Sequence, residues 1–526
     1  MNSGQLTLYN YRCFEDSHPA SVTIGPGFTA LVGQNNSGKS SLLKLFYELR
    51  PFFQRIGPNG NVISLLHGGS DGIGTQDLYD PLDIFSDSND RPLRLQFDFP
   101  ASTPEALTRA VFLTGRTNIN SWTASCFRGS SMQPGAAFAQ YVTGFNGYIA
   151  TDQNGRPVLD CSQIFALCGD LNRSTYIGPF RNAINQGSAN YYDINVGDAF
   201  IKTWNNWKSG NSKTQNLAIN RVTEDIRHIF EFKGLEISAS PDSKTLHLSI
   251  DGRPYKLSEL GAGVAQFIIV LGNVMIAQPQ YVFIDEPELN LHPALQIDFL
   301  TTIASYAKRG VIFATHSLGL ARSVAERIYT FQRKAGVVSV TPFEQTPNYA
   351  EFLGEMSFSG FKDLGADRIL LVEGVHDVKT AHQFLRQIGK DHKVVVLPLG
   401  GDQLARGGVE LELAELTRLS KNIFVLVDSE RDTATAPAIP KRQAFESVCK
   451  KLGFDICVTE RRAIENYLSD RAVKAVKGSK YSGLKPYEKL ADSPLGWDKG
   501  ENWRIAREME SSELRGTDVG AFFGKI

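Results

Sequence analysis

Short apolar runs rich in β-branched residues recur along this chain. Each ends in a polar or glycine turn and leads into a longer amphipathic stretch, a pattern that predicts buried parallel strands joined by helices. The first run, Phe28-Thr29-Ala30-Leu31-Val32, passes through a glycine-bounded loop into an amphipathic helix from Ser40 to Leu49. Residues 4–50 therefore read as strand, turn, strand, loop and helix. Between about 51 and 80 Gly, Pro and Asn accumulate, predicting a surface excursion, after which Leu93-Arg94-Leu95-Gln96-Phe97-Asp98-Phe99 alternates like a half-buried strand. Residues 100–240 mix strand and helix patterns without a strong motif and read as an insertion or arm.

The strand–helix rhythm returns from Leu257 to Thr330, with Tyr281-Val282-Phe283-Ile284 and Val311-Ile312-Phe313-Ala314 as buried strands. A less regular stretch follows, then a third alternating region with Ile369-Leu370-Leu371-Val372, Val394-Val395-Val396-Leu397 and Ile423-Phe424-Val425-Leu426-Val427 as its strands. The expected division is a first region at 1–345, a linker at 346–365 and a C-terminal domain at 366–526. No internal repeat is visible.

At 526 residues the chain is too long for one ordinary core. Its 42% hydrophobic and 21% charged content is that of a folded globular protein. A net charge of −1 gives no global attraction to nucleic acid, so any such role rests on local clusters. The N-terminus lacks the basic start and apolar core of a signal peptide, and the longest apolar run, Phe267 to Ala277, contains Gly272 and Asn273 and is too short for a bilayer. A cytoplasmic protein with no membrane partner is expected. The six cysteines form no CxxC pair and no zinc spacing, which predicts reduced, buried thiols.

The loop after the first strand is Gly33-Gln34-Asn35-Asn36-Ser37-Gly38-Lys39-Ser40, followed by Ser41. Glycines at both ends let backbone N–H groups turn inward on a β-phosphate, Lys39 adds a cation, and Ser40 offers a hydroxyl to magnesium. The chain is thus expected to bind ATP with Mg2+. Tyr281–Ile284 ends in Asp285-Glu286-Pro287-Glu288; Asp285 at the strand tip suits the magnesium, and Glu286 suits an attacking water.

Together these motifs resemble the ATP-binding-cassette ATPases of the RecF and SMC type. The resemblance is also carried by Leu257-Ser258-Glu259-Leu260-Gly261-Ala262-Gly263, similar to their signature loop though departing from LSGGQ, and by Ala314-Thr315-His316-Ser317, similar to their switch histidine. It implies a homodimer, or a higher homo-oligomer through the ATPase heads, in which Ser258, Gly261 and Gly263 of one subunit close on the γ-phosphate held by the other and His316 senses it.

The third region brings acidic clusters to strand ends: Glu373-Gly374 with Asp377, and Asp428-Ser429-Glu430-Arg431-Asp432. In a parallel sheet such clusters meet at the carboxyl edge, and several oxygen ligands there suit magnesium or manganese. They resemble the Toprim domain, with Glu430 where the usual Asp-x-Asp has its second aspartate and Asp432 able to share the role. Arg462-Ala463-Ile464-Glu465-Asn466-Tyr467-Leu468 is similar to a further acidic segment of Toprim nucleases, which implies a metal role for Glu465; a bland helix-face glutamate is the alternative. Arg471, Lys474, Lys477, Lys480, Lys485 and Lys489, interleaved with Tyr481 and Tyr487, suit a phosphate backbone or a solvated helix surface. A catalytic Lys or Arg is implied by resemblance among Lys485, Lys499 and Arg504, with Arg504 placed first.

An SMC-like ATPase followed by a Rossmann-like α/β Toprim domain resembles the OLD family of nucleases, which includes Gabija-type and retron-associated anti-phage nucleases. The expected function is metal-dependent cleavage of DNA controlled by an ATPase dimer. The resemblance implies a possible operon partner, a helicase or a reverse transcriptase with its nucleic acid. The alternative is a nucleotide-gated DNA-binding, repair or signalling ATPase in which the Toprim domain recruits or regulates a partner rather than cutting.

Overall fold

The structure, a computed structural model, describes residues 3–57, 70–128, 143–179, 190–289, 291, 293–334, 336–343, 368–391, 394–399, 413, 417, 420 and 422–526. The linker expected at 346–365 lies outside the described residues. The chain divides into two compact units: Met1–Leu291 with Thr302–His316 and Arg327–Phe343, and His292–Thr301 with Ser317–Glu326 and Glu344–Ile526.

The first unit is built on a central sheet. Its strands are β1 (Gly27–Gly33), which leads into helix α1 (Lys39–Glu48), then β2 (Thr175–Ile177). Helix α2 (Ala262–Ala277), β3 (Tyr281–Asp285), β4 (Gly310–Thr315), β5 (Arg327–Lys334) and β6 (Val337–Pro342) follow; of the helices between these strands in the chain, α3 (Pro293–Tyr306) lies in the second unit as far as Thr301 and α4 (Leu318–Val324) lies there entirely. The order is β2-β3-β4-β1-β5-β6, parallel except for β6. Every residue of β3 and β4 is buried, as their continuous apolar runs require. Register sets Asp285 beside Ala314 and Thr315 beside Val32, so the carboxyl ends of β3, β4 and β1 share one edge of the sheet.

A second, antiparallel sheet includes Gly4–Tyr9, Ala20–Ile24, Leu93–Asp98, Leu107–Gly115 and Asn118–Arg128. Strand Leu93–Asp98 alternates buried and half-buried positions, as its sequence predicts. The surface excursion expected from residue 51 begins instead as a helix with one buried face, Arg50–Ile56. Phe52, Phe53 and Ile56 form an apolar face that outweighs the local Gly and Pro content, and the Phe52 ring lies 5.0 Å from Phe112 and 4.7 Å from Trp122. The α1 side chain Phe46 stacks on Phe283 at 4.0 Å, tying the helix after the glycine loop to the strand that ends in Asp285.

The second unit carries β7 (Arg368–Val372), helix α5 (Val375–Gln387), β8 (Val394–Pro398), β9 (Asn422–Val427), helix α6 (Pro440–Lys451) and β10 (Asp455–Val458). Helices α7 (Asp470–Lys477) and α8 (Asn502–Arg507) come later in the chain. The sheet is parallel, in the order β8-β7-β9-β10. Alternate residues pack into two cores, Leu370, Val372 and Leu426 on one face and Ile369, Leu371 and Val425 on the other, as expected of a sheet covered on both sides. Among the described residues no helix is long and apolar enough to cross a membrane.

Candidate functional site

In the first unit the glycine loop is shaped by close packing. A Cβ on Gly33 would lie 2.3 Å from the Phe331 carbonyl oxygen, so glycine lets β1 and β5 approach. Gly38, with φ +97, would drive a Cβ to 2.8 Å from Cys13 Sγ, and Asn36 also adopts a left-handed φ of 59°. Lys39 donates to the carbonyls of Gly33 at 2.7 Å and Gln34 at 2.8 Å, which holds its ammonium over the loop. Burial lowers its pKa while Asp285, Glu286 and Glu288 pull it back up.

Asp285 ends β3 with both carboxylate oxygens buried and without a hydrogen-bond partner. Burial pushes its pKa up to about 6; the nearby Ser40 hydroxyl opposes the rise and Glu286 adds to it. An orphaned carboxylate next to a hydroxyl fits magnesium in donor kind and in charge. Glu286 sits at a left-handed φ of 51°, and its Oε1 lies 3.3 Å from His316 Nε2. The loop from Asn35 to Ser41, Asp285, Glu286 and His316 line one cavity of about 760 Å³. The signature residues do not line it within one chain: Ser258 is exposed in a 3-10 turn, exposed Gly261 caps α2, and Gly263 is half-buried in its first turn.

In the second unit Glu373 follows β7 and Asp428 follows the neighbouring β9. The Asp428 N–H donates to Glu373 Oε1 at 2.7 Å, and Arg442 Nη2 on α6 donates to Glu373 Oε2 at 2.5 Å. Both Glu373 oxygens are therefore engaged. Asp377, in the first turn of α5, accepts the Gly374 N–H on Oδ2 at 3.1 Å, while Oδ1 is buried without a hydrogen bond. Asp428 Oδ1 accepts the Ile464 N–H at 2.8 Å, and Glu465 Oε2, on the 3-10 turn Ile464–Tyr467, is buried without a hydrogen bond.

Lys499 Nζ stands among these acids, 3.4 Å from Asp377 Oδ1 and 3.7 Å from both Asp428 Oδ2 and Glu465 Oε2. Burial raises the Asp428 pKa well above the carboxylate range; Lys499 opposes the rise, and Glu373, Asp377 and Glu465 add to it. Glu373 and Glu465 are raised as well, again chiefly by burial. Glu430 and Asp432 turn to Arg462 instead, at 2.8 and 2.5 Å, with Glu430 at a left-handed φ of 56°.

Among the described residues no three His, Cys, Asp or Glu side chains are grouped to hold a metal. The oxygens of Asp377, Asp428 and Glu465 nonetheless fit a hard divalent cation in kind, and two of them lack a hydrogen-bond partner. Of the three basic residues considered from sequence, Lys499 reaches these carboxylates. Arg504 lies over the Trp503 ring at 4.8 Å, and burial lowers its pKa to about 10, with Arg507 adding to the fall and Glu501 and Glu326 opposing it.

A family model described as "AAA domain, putative AbiEii toxin, Type IV TA system" matches residues 28–322, more than half of the chain. The chain belongs to this AAA family. The match contains the glycine loop, the Asp285-Glu286 pair and His316. Among solved structures the chain is similar to the SMC head domain from Thermotoga maritima, at 14% identity and a TM-score of 0.33, covering 66% of this chain and 100% of that one. It is also similar to the SMC head bound to the C-winged helix domain of ScpA, at 15% identity and a TM-score of 0.32, covering 65% and 97%. No curated protein matches the chain.

The AAA-family domain has site residues that its motifs do not announce. Glu288 Oε1 accepts from Thr315 Oγ1 at 2.7 Å and from the His316 N–H at 2.9 Å, tying the acidic loop to the loop of His316. Its place two residues after Glu286 was a usable signal. Tyr191 and Tyr192 line the same cavity as the glycine loop, on a turn anchored by Asp193 through Arg50 Nη2 at 2.5 Å and the Tyr176 N–H at 2.7 Å. They lie in the arm region, where no local pattern distinguishes them. Arg442 was equally silent, since a surface-helix arginine and one that clamps a carboxylate read alike.

Proposed function

We propose that this chain is an ABC-type, RecF/SMC-like ATPase whose nucleotide cycle controls a metal-dependent, Toprim-like DNA endonuclease site in its C-terminal domain, the two joined near 346–365. The observation that carries the nuclease reading is the buried acid cluster, Asp377, Asp428 and Glu465 around Lys499 at 3.4–3.7 Å, at the carboxyl ends of parallel strands. Burying that much like charge is costly, which supports reading the cluster as a functional site.

In the ATPase reading Lys39 and the backbone of the glycine loop hold the β- and γ-phosphates, Ser40 and Asp285 hold Mg2+, and Glu286 accepts the proton of the attacking water. His316, 3.3 Å from Glu286, orients that carboxylate and senses the γ-phosphate. Exposed Ser258 and Gly261, outside the cavity of their own chain, are available to a second copy, which supports a homodimer.

In the nuclease reading Asp377, Asp428 and Glu465 hold Mg2+ or Mn2+, with Glu373, Glu430 and Asp432 around them. Bound there, the ion polarises a phosphodiester and lowers the pKa of water. Arg442 fixes Glu373, and Lys499 balances charge in the cluster. Asn466 Nδ2 donates to the carbonyls of Lys485 at 2.6 Å and Glu488 at 2.9 Å, which pins the loop bearing exposed Lys485 and Lys489 to the segment of Glu465. These lysines suit a DNA backbone.

The test is supercoiled plasmid incubated with the protein and Mg2+ or Mn2+, wild type against Asp428→Ala. Metal-dependent nicking by the wild type and none by the variant is expected; nicking that survives the substitution removes the assignment from this site. The second reading, a nucleotide-gated module that recruits a partner, is favoured by the Lys499 ammonium at the centre of the acids, and partner capture without nicking by either protein would select it.

A further inference from the structure

We propose that helix α5 transmits nucleotide state to the carboxylate cluster through a buried polar stripe, Lys379, His382, Gln383 and Arg386, held against Glu326 and Asp298; the proposal rests on the nucleotide-site reading above. The chain path supplies the first observation. Ser317–Glu326 begins at the residue after His316, and His292–Thr301 begins a few residues after Glu286, yet both segments belong to the second unit. The peptide segments leaving the two groups that would respond to a γ-phosphate are thus part of the body that contains the acid cluster.

Within that unit both segments engage one face of α5. Lys379, with no exposed side-chain surface, pairs with Glu326, which follows α4, and His376 Nδ1 lies 3.7 Å from the same Glu326 carboxylate. One turn further on, buried Asp298 on α3 lies 3.8 Å from His382 Nδ1 and 3.9 Å from Arg386 Nη1. Val378, Ala381, Phe384 and Leu385 fill the opposite face of α5 and pack into the core beneath the sheet. Helical spacing alone would place 379, 382, 383 and 386 on the solvent side, yet all four are buried. The same helix starts directly after Gly374 and carries Asp377 in its first turn, 3.4 Å from Lys499. A shift of α5 along or about its axis therefore moves Asp377 relative to Asp428 and Glu465.

The stripe is not a settled structural network. His382 Nδ1, Asp298 Oδ1 and both amide atoms of Gln383 are buried without a hydrogen-bond partner, and Asp298 Oδ1 stands 3.8 Å from His382 Nδ1 and 3.9 Å from Arg386 Nη1, beyond hydrogen-bond distance of either. Half-satisfied buried polar groups penalise this arrangement relative to a neighbouring one in which they meet. A small displacement of α3 or α4 against α5 would change which groups are satisfied, and packed interfaces of this kind favour discrete alternatives over continuous deformation. Nucleotide need only bias one alternative over the other.

The test is hydrogen–deuterium exchange on the full chain carrying Glu286→Gln, so that ATP is retained, with and without ATP and Mg2+, and with ATP affinity measured on the same samples. The parent is expected to show ATP-dependent exchange at 317–326, along α5 and at Ile464–Tyr467, changing on the order of tenfold within α5, the scale of ordinary coupling between sites. Removing both partners of the buried pair, Glu326→Gln with Lys379→Met, is expected to keep ATP affinity and the change at 317–326 while cutting the change at α5 several-fold; Lys379→Arg, which keeps the charge, is expected to retain it. The parent binding ATP with no change at α5, or the double variant transmitting the change in full, overturns the proposal. A parent that binds no ATP overturns the nucleotide reading and the coupling with it. A double variant that fails to fold leaves the decision to Lys379→Arg, in which loss of the α5 response overturns the proposal. DNA cleavage plays no part in the readout, so failure of the nuclease assignment is scored separately.

Discussion

The Glu373 carboxylate meets the Arg442 guanidinium at 2.5 Å while accepting the Asp428 N–H on its other oxygen at 2.7 Å. One arginine on α6 thereby fixes the acid at the end of β7 against the acid at the end of β9. Replacing Arg442 with Met leaves a nearly buried carboxylate without its counter-charge, which is expected to destabilise the fold by up to about 3 kcal/mol. Adding Glu373→Gln to Arg442→Met should recover most of that loss. Urea unfolding of the two single variants and the double variant measures the coupling, and simple additivity would show that the pair is not energetically linked.

The nucleotide site gives a separable pair of outcomes. Lys39→Ala removes the cation held over Gly33 and Gln34 and is expected to abolish ATP binding in a calorimetric titration. Glu286→Gln keeps the cavity but removes the group placed to accept a proton, so ATP should still bind while turnover falls on the order of 10²–10³-fold. Unaltered turnover in Glu286→Gln would move the general base elsewhere.

Asp285 predicts a pH dependence. Its carboxyl, raised to about 6, holds a proton in the folded chain that an unfolded aspartate releases near its ordinary value of about 3.9. Nucleotide-free stability should therefore fall as pH rises from about 4 to about 6 and then stay level, with a two-unit shift corresponding to about 3 kcal/mol. Asp285→Asn removes the titrating group and should flatten this window, making the variant the more stable protein at pH 7. Because magnesium favours the ionised form, Mg2+–ATP binding near pH 6 should release protons in the wild type and not in Asp285→Asn, which calorimetry in buffers of different ionisation enthalpy resolves.

Much of this was legible in the sequence where chemistry is local. Continuous apolar runs announced β3 and β4, and the acids after such runs announced that Asp285, Glu373 and Asp428 stand at strand ends, because a parallel sheet needs two-sided burial and turns polar where its strands end. The glycine loop was legible for the same reason: Gly33 and Gly38 occupy places where a Cβ does not fit. The helix at Arg50–Ile56 was misread because local glycine and proline content cannot report that Phe52 will meet Trp122. The preference for Arg504 over Lys499 had a similar limit. A lysine 71 residues beyond Asp428 reaches it only through the fold of the C-terminal segment, and nothing in Asp498-Lys499-Gly500 records that.

Lys499 separates a structural cation from a metal-site partner. Its ammonium offsets Asp377, Asp428 and Glu465, so Lys499→Met should destabilise the protein and lower its Tm in the presence of chelator. A purely structural lysine would leave that loss unrecovered whatever divalent ion is added. If the same carboxylate oxygens hold Mg2+ or Mn2+, binding to the folded state alone stabilises by about 2.7 kcal/mol at a concentration 100 times Kd. For a domain of this size that corresponds to a rise of several degrees in Tm, about 2–4 °C per kcal/mol. The variant, with the competing ammonium gone, should therefore gain more from Mn2+ than the wild type does, and Lys499→Met with Asp428→Ala should gain little. Equal Mn2+ responses in all three proteins would place the ion elsewhere and leave Lys499 a charge-balancing residue.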